Sequence, residues 1–161
     1  MIRLAPEPLS REAFAPFGTV IETESAHHYL INQNTATRFH ALATADSGPD
    51  GRVVLSVFRG TRCPDPIAIT MLERHPLGTQ AFMPLSAHDW LVVVAERPEA
   101  AALRCFLATG AQGVQYDINT WHHPLLILAP EQDFLVVDRE GPGNNLEDVE
   151  LDTTARIWTD T

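Results

Sequence analysis

The chain has little positive charge, almost no cysteine, and no apolar run near the roughly 20 residues that a membrane span requires. Eleven Lys and Arg stand against 21 Asp and Glu, a formal net charge of −10, and no basic run interrupts the sequence. Nucleic-acid binding, which needs a basic face, is therefore not expected. An anionic small substrate is still compatible, because a local arginine can dominate a pocket whatever the global charge. The two cysteines, Cys63 and Cys105, form no C-x-x-C pair and no disulfide framework, and read as thiols of a reducing compartment. The start, "MIRLAPEPLS", has no apolar core of a signal peptide, so the expected location is the cytoplasm. There is no G-x-S-x-G, P-loop or dinucleotide fingerprint, and no organic cofactor is expected. Gly110 and Gly113 read as turn glycines. Ser56 lies in a strand-like segment with no base beside it, a poor setting for a Ser–His–Asp nucleophile.

What is present is a chain of 161 residues, 45% hydrophobic and 20% charged, long enough for one core, so a single domain over 1–161 is expected. "SREAFAPFG" reads as a short helix, capped by Ser10 and stopped at Pro16-Phe17-Gly18. Beyond it come short β-branched pieces such as "RVVLSVF", "IAITMLERH", "WLVVVAE" and "DFLVVDR", separated by Gly, Pro and Asp turns. That rhythm indicates an all-β sandwich or barrel. The acidic tail over 140–161 reads as a C-terminal surface arm.

Two stretches carry ligand-type side chains. Residues two apart on a strand share a face, so Glu73 and His75 in "LERHPLGTQAF" stand side by side while Arg74 points away. The "PLGT" turn is expected to make a hairpin that sets Gln80 beside the pair on a neighbouring strand. Polar groups buried without partners cost several kcal/mol. An inward pair thus needs a function, whereas an outward pair would simply be solvated. The second stretch is "NTWHHPL". In an extended chain His122 and His123 face opposite sides, so at most one of them joins the first group, and Trp121 shares the side of His123.

The first cupin motif, H-x-H-x4-E, has the spacing of Glu73-x-His75-x4-Gln80. The second, P-x-G-x2-H, puts its histidine at His122, with Asp117 and Asn119 where Pro and Gly would stand. The chain thus resembles a cupin-like barrel (a double-stranded β-helix or jelly roll) with a short N-terminal helix. More specifically, "EAFAPFGTVIE", "RFHALA", "ERHPLGTQAFMPL", "WHHPL" and "DFLVVDR" resemble the ureidoglycolate lyase family, called ureidoglycolate hydrolase in older naming. The likeness runs over nearly the whole chain. "INQN" stands where a family glycine is often found, and the "REGPGNN" loop differs in length and composition.

The resemblance implies a homodimeric carbon–nitrogen lyase of the amidine-lyase class, acting in allantoin (purine) catabolism. It would cleave (S)-ureidoglycolate to glyoxylate and urea by elimination, a reaction that needs a base, an acid and a cation but no nucleophile. Glu73 or His75 would be the base, and His122 or His123 would assist the departure of urea. Arg38 or Arg59 would hold the carboxylate, and Ser56 and Gln80 would hydrogen-bond the hydroxyl or the ureido group. The family's association with a divalent metal, nickel among them, implies Glu73, His75, Gln80 and His122 as ligands of a weakly bound ion. An amide oxygen is a weak ligand, and the same four residues also compose a metal-free pocket. Two rival readings are another metal-dependent cupin enzyme and a non-catalytic cupin module that binds a small carboxylic acid.

Overall fold

A computed structural model describes residues 1–159. In chain order its elements are β1 (Ile2–Arg3), β2 (Pro6–Pro8), α1 (Arg11–Phe14), β3 (Gly18–Ile21), β4 (His28–Ile31), β5 (Ala36–Phe39), β6 (Arg52–Thr61) and β7 (Ile67–Arg74). There follow β8 (Gln80–Pro84), β9 (Trp90–Ala95), a 3-10 turn (Ala100–Ala102), β10 (Leu103–Ala108), β11 (Gly113–Tyr116), β12 (Trp121–His122), β13 (Leu126–Ile127), β14 (Glu131–Glu140) and β15 (Glu147–Ile157). The all-β expectation with one short N-terminal helix holds. Ser10 does cap α1, its hydroxyl accepting from Ala13 N at 3.2 Å.

The strands form two facing sheets and a separate ribbon. The larger sheet runs β1-β15-β7-β12-β9-β10-β2, with β13 also on β9; the smaller runs β3-β11-β8-β14-β6; β4 pairs only with β5. Between the two sheets lie Phe82, Trp90, Val92, Val94, Phe106 and Phe134, all buried. Trp90 and Phe134 meet edge to face, centroids 4.8 Å apart, a contact that contributes about 1 kcal/mol beyond its area. The alternate residues of β9, Leu91, Val93 and Ala95, enter a second core cluster behind the larger sheet. A strand buried on both faces needs no polar residues, and "WLVVVA" has none.

Two expectations change in detail. The "PLGT" turn does not close a hairpin: β7 belongs to the larger sheet and β8 to the smaller. It carries the chain across the barrel, so Gln80 faces Glu73 and His75 from the opposite wall. The tail read as a surface arm over 140–161 contains β15, antiparallel to β7. Its Ala155 and Ile157 are fully buried in the second cluster, with Val149 and Leu151 packed against it. Residues 160 and 161 of that stretch lie outside the described residues.

Candidate metal-binding and acid–base site

Strand alternation puts Glu73 and His75 on the inner face of β7, and pairing delivers the third member. His122 is the cross-strand partner of Glu73 on one side and of Val94 on the other. The turn before it is set by Asn119, at φ 68 in the left-handed region that asparagine tolerates, and its N–H donates to His75 O at 3.0 Å. One ligand atom each from Glu73, His75 and His122 lies within 4.8 Å of the others. His122 Nε2 is 3.5 Å from Glu73 Oε1, at the outer limit of hydrogen bonding. The imidazole holds the Glu73 carboxyl below the usual carboxylate range, outweighing the burial that pushes the other way.

Both imidazoles are oriented from behind. His75 Nδ1 contacts Asn145 O at 2.8 Å, and His122 Nδ1 contacts Thr120 O at 2.9 Å. A carbonyl only accepts, so each Nδ1 carries the hydrogen and each Nε2 presents a lone pair. Both Nε2 atoms are buried without a hydrogen-bond partner. Two forward-facing imidazole nitrogens beside a carboxylate, each imidazole braced by a carbonyl, fit a divalent cation. Gln80 follows the same logic. Its Nε2 donates to Asp138 Oδ2 at 3.1 Å, leaving Oε1 buried and unpartnered.

The remaining sequence candidates are placed elsewhere. His123 sits next to the cluster, and burial lowers its pKa, but its Nδ1 is turned to Pro124 O at 2.9 Å. Arg59 forms a two-pronged contact with Asp133, at 2.8 and 3.0 Å, on the exposed surface. Ser56 is exposed on β6, the edge strand of the smaller sheet, on the face it shares with Val136 and Asp138 and outside the cluster. Arg38 is exposed on the β4–β5 ribbon. Arg74 points outward as expected, ion-paired with Glu147 at 2.6 Å and stacked over Trp121 at 4.4 Å.

Three supporting residues escaped the sequence reading. Tyr116, cross-strand neighbour of Gln80, stacks on His122 at 4.1 Å and 10°. Burial, then the charge of Glu73, raises its phenol pKa. Asp138 fixes the Gln80 amide. Asn145, in the loop before β15, holds His75 through its carbonyl and Leu77 N through its side chain at 2.8 Å. Asp138 and Asn145 are remote in sequence from what they hold, and no spacing signals them. Alternation along "GVQY" puts Tyr116 on one face with Val114, which is the signal that could have found it.

The model for the family described as ureidoglycolate lyase matches residues 1–158. Ureidoglycolate lyase of Brucella anthropi is 54% identical over 97% of this chain and 95% of its own. That of Pseudomonas syringae pv. tomato is 46% identical, over 99% and 96%. Ureidoglycolate lyase 1 of Rhizobium meliloti is 52% identical, over 92% and 89%. Among solved structures, a serine-to-alanine mutant of Bacillus subtilis oxalate decarboxylase matches 76% of this chain and 35% of its own. With a TM-score of 0.38 and 13% identity, that likeness is too slight to carry an inference.

Proposed function

Since this chain belongs to the ureidoglycolate lyase family, we propose that it cleaves (S)-ureidoglycolate to glyoxylate and urea at the Glu73–His75–His122 cluster. The observation that carries this assignment is the juxtaposition of an ionised carboxylate and two imidazoles facing one point. The substrate carbon bears a hydroxyl, a carboxylate and the ureido nitrogen. Glu73, held in its charged form, takes the hydroxyl proton as the C–N bond breaks and the C–O bond becomes a carbonyl. Glu73 then passes that proton to the free Nε2 of His122 across their 3.5 Å contact, and His122 gives it to the departing nitrogen, so the proton taken is the proton given. No water adds and no covalent intermediate forms.

Gln80 Oε1 accepts from a ureido N–H, while Tyr116 holds the His122 ring in plane by stacking. Where a divalent ion, nickel the candidate, is instead held by Glu73, His75 and His122 with Gln80 as a weaker fourth ligand, it would supply Lewis-acid polarisation of the substrate oxygens in place of the His122 relay. Cytoplasmic location fits the two free cysteines, and among the described residues no helix is long and apolar enough to cross a membrane. A homodimer fits the uncovered apolar side chains of β6.

The deciding experiment is incubation of the purified protein with racemic ureidoglycolate, following glyoxylate and urea. Half the racemate should be converted, with equal amounts of the two products. Binding without product would instead support an acid-binding module. Metal analysis with assay after chelation and nickel re-addition should show activity falling and returning; unchanged turnover would assign the chemistry to the side chains alone.

A further inference from the structure

Among the described residues, the candidate site has no arginine or lysine to meet its substrate's carboxylate. Glu73 and Asp138 bring carboxylates, the substrate brings another, and the side chains that contact the first two are His122 and Gln80. Every cation available is arginine, because the sequence contains no lysine. Among the described residues, each arginine but two is held by a carboxylate, carbonyl, hydroxyl or aromatic ring, and none of those contacts involves the cluster. Arg156 is one exception, but it is in register with Ala68. That is five residues, about 17 Å, along β7 from Glu73, beyond the reach of a side chain. Arg38 is the other.

Arg38 projects from the β4–β5 ribbon, which pairs with neither main sheet. Both faces of the ribbon carry large uncovered side chains: Leu30, 59% exposed, with Phe39 on one, and Tyr29 beside Arg38 on the other. A two-stranded ribbon is marginal alone, so one displaying this much apolar surface needs a second surface to lie on. Its own barrel does not provide one. The barrel does offer an uncovered patch of its own on the outer face of β6, where Val53, Leu55 and Val57 alternate along an edge strand and Leu55 is 71% exposed. Ribbon and patch are both apolar and both belong to the same chain, so a two-fold pair can bury each of them twice.

We infer that the β4–β5 ribbon of one subunit docks on a second copy of this chain and brings Arg38 to that copy's Glu73–His75–His122 site, where its guanidinium holds the substrate carboxylate. This rests on the lyase reaction proposed above. Each site is then composite, and a lone subunit binds its substrate poorly. The planar guanidinium makes two parallel hydrogen bonds to a carboxylate and orients the substrate carbon toward Glu73.

Subunit complementation tests it. Arg38→Ala and Glu73→Gln chains, carrying different affinity tags, are co-expressed, and the hybrid is isolated on both tags. Each parent homo-oligomer should fall about 100-fold in kcat/KM. The hybrid should regain about half of the native rate, because one of its two sites then has both native residues. Arg38→Lys should be intermediate and, with substrate saturating, should raise KM more than it lowers kcat. A hybrid as inactive as its parents, full activity in Arg38→Ala, or an active monomer by sedimentation would each overturn the inference while leaving the lyase reaction intact. Failure of the native protein to release glyoxylate would instead remove the reaction itself.

Discussion

At Glu73 two effects compete, and their outcome decides what the residue can do. Partial burial favours the neutral acid, whereas His122 favours the carboxylate, and the carboxylate prevails. A group ionised in its resting state can take a proton but has none to give. Glu73→Gln keeps shape and polarity while removing the acceptor. It should lower kcat/KM by about 10²–10⁴-fold, with a thermal midpoint close to that of the parent, as steady-state kinetics and calorimetry would show. Unchanged turnover would move the base to His75. Glu73 and His75 were legible in the sequence because strand period alone places them together. Tyr116 and Asp138 were not, because their roles come from a neighbouring strand's register and from an amide's orientation. The choice between Arg38 and Arg59 was equally hidden: both are single arginines in strand segments, and only the two-pronged contact to Asp133 shows that Arg59 is already occupied.

Among the elements, the turn between β7 and β8 is held on every side. A Cβ on Gly78 would stand 2.8 Å from Arg139 Cβ and 3.1 Å from Asp46 O, so the glycine of "HPLGTQ" is required by space. Thr79 ties the same turn to the connection between β5 and β6, its N–H donating to Asp46 O and its hydroxyl accepting from Asp46 N, both at 2.9 Å. On the other flank Asn145 holds His75 and Leu77. Asn145→Ala leaves the Leu77 N–H without its acceptor, a cost of about 1–3 kcal/mol. It should lower the thermal midpoint by several degrees and reduce kcat more than it raises KM, since the loop that presents the Asn145 carbonyl to His75 loses its side-chain tie to Leu77. An unaltered kcat would mean that the Asn145 carbonyl alone suffices. The strand pattern of these elements was readable from alternation, and the alternating apolar residues of "EDVELDTTARI" could have revealed β15 had its acidic content not suggested an arm. The sheet change at "PLGT" was not readable, because hairpin turns and barrel crossings use the same residues.

For the whole molecule, the exposed apolar face of β6 asks for cover, since contiguous patches of this kind mark association sites. Leu55→Asp would place a charge at its most exposed position, where it harms a buried interface but not an isolated subunit. Sedimentation velocity should show a dimer for the parent and monomers for the variant at the same concentration, while far-UV circular dichroism stays unchanged. A dimer that persists would locate the interface elsewhere. One further consequence comes from β12, the two-residue strand between β7 and β9 that carries His122. Such a short segment has no independent hold; it can settle only after its two longer neighbours are aligned, and those neighbours are joined through a different sheet. Assembly therefore has an order in time, and the chemistry comes last. During refolding from denaturant, glyoxylate production should trail the recovery of strand signal, so that a freshly folded molecule has its shape before it has its activity.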